Sequence, residues 1–241
     1  MELIVVSIGA LSKNPLWNER VPTRTSHATT SLIRAAGSEG TGTKEALILV
    51  DPSLPGDILD ARLYERAGIH ADAITHVFLT NWRPIHRRGI GKFARATWWM
   101  HPNEIEAATE ALDRAEEQIA HQAAGGGGSV GGDAAELIQQ ERALLARMAA
   151  APDELAENVQ LFPLFGYTPG QCGIIVAEPT LTTVIAGDAV PSHGHFVAGQ
   201  VFPDCYDLSK AKDSLMELYE VADVIVPGHD NLFVTPRGTG G

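Results

Sequence analysis

Residues 75–91 read THVFLTNWRPIHRRGIG, and the reading of the whole chain turns on this stretch. Val77, Phe78 and Leu79 make a short bounded apolar run, the pattern of a buried strand. The sequence then turns polar at Thr80 and Asn81, carries His86, and closes on Gly89 and Gly91. A strand is handing side chains to a loop, and in an α/β chain the loop after a buried strand is where sites are built.

Upstream, residues 3–8, 27–33 and 46–50 read as strands, the last two joined by the turn-rich AAGSEGTGTKE. Asp51 ends a strand in LILVDPSLPG and reads as a loop-capping carboxylate. A helix follows over residues 55–67, with Ile58, Leu59 and Leu63 on one side. Downstream, ATWWMHP reads as a strand whose paired tryptophans belong to the core, and a helix begins near Pro102 or Asn103. Ile105, Ala108, Leu112, Ala115 and Ile119 are spaced 3, 4, 3, 4, which draws one narrow apolar stripe along that helix. Its partner is predicted over residues 133–150, with Leu137, Ile138, Leu144, Leu145 and Met148 on one face and Asp133 with Glu136 as a capping-box start. Between them AAGGGGSVGGD is a tether, whose glycines at 125–132 are expected to be the most mobile part of the chain. The pair reads equally as an outer layer of the fold, a lid or a dimer arm.

Four motifs in order resemble the metallo-β-lactamase superfamily. Residues 75–91 follow that family's hydrophobic strand, Thr, H-x-H-x-D-H and glycine turn. Thr80 and His86 match, while Asn81, Arg83 and Ile85 stand where the family has its first histidine, second histidine and aspartate. GYTPG at 166–170 is similar to the family's G-H-T-P-G, with Tyr167 in place of a metal histidine. AGDA at 186–189 carries Asp188 where the family has its metal-bridging aspartate, VIVPGH at 224–229 brings His229 to the place of the last metal histidine, and Asp51 resembles the family's strand-end aspartate. The resemblance implies an αββα sandwich, two mixed sheets face to face with helices outside and the site on loops at one rim. The chain then reads as one domain over 1–241, with a helical insert at about 103–150.

The substitutions sort by metal. The first metal of the family's pair would need the residues now represented by Asn81, Arg83 and Tyr167, and a guanidinium has no lone pair to offer. The second keeps His86, Asp188 and His229, losing only the aspartate that Ile85 replaces. Two imidazoles and a carboxylate suit one divalent ion, Zn²⁺ ahead of Fe²⁺. The resemblance thus implies a hydrolase, at most mononuclear, acting on a small ester, thioester, lactone or amide. Asp188 would orient the nucleophile, and Asn81, Arg83 and Tyr167 would meet the substrate. The same residues also fit a metal-free, non-catalytic member that binds a small anion or a protein partner in the former cleft, with Arg83, Arg87 or Arg88 as its cations. His86 then serves as a loop histidine, His229 satisfies a carbonyl, and Asp188 caps loop amides. His193 and His195 offer a replacement ligand or a surface-loop pair; His27, His70, His76, His101 and His121 read as structural.

Composition narrows the partners. Thirty acidic against eighteen basic residues give a net charge of −12, and 44% hydrophobic content is that of an ordinary globular chain. The opening MELIVVSIGALSKN holds an apolar run too short for a signal segment, no run reaches a membrane span, and Cys172 and Cys205 lack metal or disulfide spacing; the expected setting is the cytoplasm. A small-molecule partner is expected and a homo-oligomer is left open. Arg83, Arg87 and Arg88 form the one tight basic cluster, too few to neutralise a phosphate backbone. Filter binding to random-sequence RNA at physiological ionic strength is therefore expected to detect no complex; micromolar binding that weakens steeply with salt would contradict this.

Overall fold

Side-chain alternation with period two lays the strands out as two sheets. In the computed structural model, which describes residues 1–38, 42, 44–124 and 130–237, the first sheet runs in chain order. Its strands are β1 (Glu2–Ser7), β2 (Thr30–Ala36), β3 (Glu45–Val50), β4 (His76–Leu79), β5 (Thr97–Met100) and β6 (Met148–Ala150). β1 to β3 pair antiparallel and β3 to β6 parallel. The second sheet holds β7 (Glu154–Ala156), β8 (Val159–Pro163), β9 (Cys172–Glu178), β10 (Leu181–Gly187), β11 (Val224–Pro227) and β12 (Phe233–Val234). It is antiparallel except for the parallel pair β10 and β11.

Alternate residues go to different layers. Ile48, Val50, Phe78 and Trp99 point between the sheets, where they meet Leu155, Ile174, Ile185 and Val226. Leu47, Leu49, Val77, Leu79, Trp98 and Met100 point the other way and are covered by α1 (Gly56–Ala67), α2 (Pro102–Ala124) and α3 (Val130–Leu145). On the far side, Val184, Ala186 and Ile225 are covered by Phe196 of the short helix α4 (His193–Val197) and by Leu215 and Leu218 of α5 (Leu208–Val221). The architecture is the expected αββα sandwich. The adjacent tryptophans are both core, one on each face of the first sheet.

The helical insert is an outer-layer element. Ile105, Ala108, Leu112, Ala115 and Ile119 are the buried or half-buried stripe of α2, as their spacing predicts. Ala108 and Leu145 join the cluster outside the first sheet. Arg142 of α3 bridges Asp113 and Glu116 of α2 at 2.6 Å each. Several boundaries differ from expectation. β2 starts at Thr30, because the Thr29 amide donates instead to the Gly228 carbonyl (2.6 Å), and His27 makes only an isolated bridge with Ala10. α3 stops at Leu145; Met148–Ala150, expected in the helix, pair parallel with β5, and it is as a strand residue that Met148 is buried. Asp133 lies inside the first turn of α3 and so does not cap it. Of the expected tether, residues 125–129 lie outside the described residues and 130–132 already belong to α3. No described helix is long and apolar enough to cross a membrane.

Helix α1 ends on Gly68 in the left-handed region, φ 67, whose backbone N–H donates to the Tyr64 carbonyl and closes the last turn. Leu59 and Leu63 are fully buried under the first sheet, whereas Ile58, expected beside them, is 49% exposed. Leu63→Ala is expected to cost about 2–5 kcal/mol in denaturant unfolding through its cavity, and Ile58→Ala under about 1 kcal/mol. Equal losses would contradict the assignment of α1's buried face.

Candidate metal centre

Parallel pairing brings several strand ends to one rim. β3, β4, β10 and β11 all finish there, delivering Asp51, Thr80, Asp188 and His229 in turn, the edge at which open α/β sheets place their ligands. Asp51 leaves β3 in the left-handed region (φ 50), a conformation that costs a non-glycine residue energy and is kept where the surroundings enforce it. The enforcing bonds are visible. Its Oδ1 accepts from the Thr80 amide at 2.9 Å and its Oδ2 from the Thr80 hydroxyl at 2.7 Å.

The same Asp51 Oδ2 lies 2.9 Å from Nδ1 of His86, which sits in a 3-10 turn over Pro84–His86. This corrects the reading of Asp51 as a loop cap alone: it also orients a site histidine. With Nδ1 directed at Asp51, the other ring nitrogen of His86 faces Asp188 Oδ2 at 2.8 Å. His229 is arranged alike. Its Nδ1 is 2.8 Å from the carbonyl oxygen of His27, which can only accept, so Nδ1 carries the hydrogen and Nε2 faces Asp188 Oδ1 at 3.0 Å. That carboxylate oxygen is buried and has no hydrogen bond of acceptable geometry. Gly228 makes room for it, since a β-carbon there would come within 2.5 Å of Asp188 Oδ1.

His86, Asp188 and His229 thus offer three ligand atoms that all lie within 4.8 Å of one another. The donor set fits a cation. Two acceptor atoms, His229 Nε2 and Asp188 Oδ1, face each other at hydrogen-bond distance, an arrangement that calls for a proton or a positive ion between them. Each histidine is also held through its outer nitrogen by an oxygen acceptor, the support that metal-binding imidazoles need. Burial is the largest influence on His86 and opposes its charging, but Asp188 and Asp51 outweigh it and raise its pKa to about 10. For Asp188 burial again opposes ionisation, and His86 and His229 overcome it, holding the carboxyl well below the usual range.

The three positions where the sequence resemblance expects the ligands of a first metal hold side chains with partners of their own. Asn81 is fully buried; its Nδ2 donates to Gln171 Oε1 at 3.0 Å and reaches Asp188 Oδ2 at 3.4 Å and His86 Nε2 at 3.3 Å. Arg83 stacks its guanidinium over the Tyr167 ring at 4.2 Å and approaches Asp204 at 3.5 Å. Burial, then the charge of Asp188, pushes the Tyr167 phenol well up and keeps it protonated, with Arg83 opposing. Phe202 packs against Tyr167, with ring centres 5.1 Å apart, and lies 6.1 Å from the His229 ring. Little solvent reaches the triad: His86 is 0%, Asp188 1% and His229 5% exposed. A cavity of about 870 Å³ lies to one side against α2, and no triad residue lines it.

Other expected candidates separate. His195 is buried on α4 and bonded to the Ser192 hydroxyl at 2.7 Å, unlike the surface-loop position predicted for it; His193 is exposed. Arg87 is not a free anion-binding cation, because it pairs through two nitrogens with Glu141 of α3 and covers the Trp82 ring at 3.9 Å. Arg88 reaches the Ser26 carbonyl. Two residues that sequence reading passed over hold the loops together. Gln171 fixes the Asn81 amide and donates to the Ala186 carbonyl at 3.1 Å. Glu104 of α2 accepts from the Trp82 amide (2.8 Å), the Thr168 hydroxyl (2.7 Å) and the Gly170 amide (2.9 Å), so one carboxylate ties two motif loops together. The place of Glu104 as an acidic residue in the first turn of a helix was the one local signal for it.

Comparisons with known proteins agree with this architecture. The family model of the metallo-beta-lactamase superfamily matches residues 29–229. A search of curated proteins finds no match. Among solved structures, a Thermotoga maritima protein described as a metallo-beta-lactamase aligns with a TM-score of 0.63 at 18% identity, covering 97% of this chain and 98% of the other. AidC, a dizinc quorum-quenching lactonase in complex with its product, aligns with a TM-score of 0.61 at 18% identity over 86% of this chain and 74% of its own. A variant of AiiA from B. thuringiensis, with N-decanoyl-L-homoserine at its active site, gives 0.57 at 17% identity over 95% and 92%. With the family model spanning all four motifs and the strand ends that carry them, this chain belongs to the metallo-β-lactamase superfamily.

Proposed function

We propose that the protein is a hydrolase-like member of the superfamily that binds a single divalent ion, Zn²⁺ ahead of Fe²⁺, through His86, Asp188 and His229, and acts on a small ester, thioester, lactone or amide. The observation that carries the reading is the facing of Asp188 Oδ1 and His229 Nε2 at 3.0 Å in a buried site, where Nδ1 of His229 is already directed at the His27 carbonyl and Oδ1 has no hydrogen bond of acceptable geometry. The ion would supply Lewis acidity toward a substrate carbonyl. The chain's own residues do the rest. Asp51 and the His27 carbonyl hold the two imidazoles in register, and Asp188 orients the attacking water. Asn81 steadies the Asp188 carboxylate from behind, and Tyr167 and Arg83 offer a protonated phenol and a fixed positive charge to the substrate. Lactonases among the structural neighbours make a lactone a sensible first substrate to try.

The burial of the triad favours a second reading, a non-catalytic member that binds a ligand at the same rim. Asp188 is 1% exposed, so a substrate reaches it only if covering side chains move aside, and a chain that keeps it covered would retain the triad for packing. Metal content and turnover separate the two.

Metal analysis of purified protein reconstituted with Zn²⁺ is expected to give one equivalent per chain. His229→Ala should abolish uptake and Asn81→Ala should retain it. Two tightly bound equivalents, or uptake indifferent to loss of both His86 and His229, would sink the assignment. Hydrolysis of an acyl homoserine lactone, a p-nitrophenyl ester and an acyl thioester by the one-metal form is the accompanying assay; no turnover of any of them would leave the second reading standing.

Stability of the chelated protein carries a pH signature. His86, raised from 6.5 to about 10, contributes fully below about pH 6.5, and that contribution is lost as pH rises through 10. Asp188, lowered from 3.8, contributes above about pH 4 and loses its contribution in acid. The melting temperature of metal-free protein should therefore fall between about pH 7 and pH 10, and His86→Gln should flatten that fall. A wild-type profile already flat over the interval would contradict the bridged imidazolium.

A further inference from the structure

The cavity of about 870 Å³ is a groove between the first half of α2, the loop after β4 and the start of α5. Its volume lies in the range of small-molecule sites, roughly 300–1,000 Å³. Ala107, Ala111 and Leu112 of α2, with Trp82 and Pro169, give it an apolar lining. Small residues on α2 open the space.

Most charges along the groove are already committed. Glu104 accepts three hydrogen bonds, Arg87 pairs with Glu141, and Arg114 pairs with Glu110 at 3.3 Å. Two cations remain. Lys210 has no ion-pair partner among the described residues. Arg83 has one carboxylate partner, Asp204, which is itself exposed and 3.5 Å away. Such an exposed pair contributes little and exchanges readily. It also illustrates what Arg83 accepts at this rim, a carboxylate. On the other wall Glu106, an acidic side chain of α2, also lines the groove and would repel a dianion. Charge and surface together select one negative charge on an apolar body.

We propose that this groove is a binding site for a small amphipathic carboxylate, whose charged end is held by Arg83 and Lys210 and whose apolar body lies along Trp82 and the alanines of α2. A guanidinium and an ammonium converging on one carboxylate make charge-assisted hydrogen bonds. No triad residue lines the groove, which shares only Arg83 with the substrate-facing residues proposed above, so it holds with or without a bound metal ion.

Calorimetric titration of the full chain with octanoate, octan-1-ol and inorganic phosphate tests this. Octanoate should bind saturably, with octan-1-ol and phosphate each at least about tenfold weaker. The double variant Arg83→Gln/Lys210→Gln should weaken octanoate by about tenfold or more. Ala111→Trp, which adds an indole to the groove wall, should abolish binding while melting stays cooperative. Binding should survive EDTA, which separates this site from the triad. Octan-1-ol binding as well as octanoate, phosphate binding more tightly, loss of binding on chelation, or indifference to Ala111→Trp would each overturn the proposal. The wild-type comparisons decide it even if the double variant fails to fold.

Discussion

The Asp188 carboxylate is wedged between two imidazoles whose outer nitrogens are already engaged, one by Asp51 and one by the His27 carbonyl. Neither ring can turn away without breaking its outer bond, and the carboxylate is too deeply buried to find water. Opposing acceptors this close in a dry interior are tolerated only with positive charge among them. Much of the rim follows from that constraint. Asp51 adopts a left-handed backbone to present its carboxylate, Gly228 is bare so that Asp188 fits, and Asn81 lies behind the carboxylate with an amide hydrogen.

The surroundings are arranged to keep this cluster rigid. Glu104 pulls the loop after β4 and the loop before β9 onto the start of α2, and Arg87, the neighbour of His86, is clamped to α3 by Glu141 and Trp82. The helical insert is therefore mechanically part of the site, although none of its described residues contacts the triad. A movement of α3 would be felt at the turn that carries His86.

What could be read from the sequence was whatever is local. Bounded apolar runs marked β3, β4 and β5, motifs of the family resemblance marked the ends of β10 and β11, and a 3-4 spacing marked the stripe of α2, because burial of one face leaves its imprint on neighbouring positions. The triad was legible through motifs that lie at strand ends. Asp51's second role, Gln171 and Glu104 were not, since they depend on contacts 35, 90 and 64 residues away in the chain respectively. The end of α3 was misread for a different reason. Met-Ala-Ala is a good helix former, and only pairing with β5 draws it into a sheet.

The stack of Arg83 on Tyr167 has an evolutionary consequence. Each side chain is the other's immediate neighbour at 4.2 Å, and behind them Asn81 is matched to Gln171. A histidine introduced at any one of positions 81, 83 or 167 would disrupt an existing pair while gaining no ion, since one ligand holds none. Stepwise conversion of this corner into a set of metal ligands is thus strongly epistatic, because each single change costs a contact before a second ligand arrives. The corner is held as it is by its own packing.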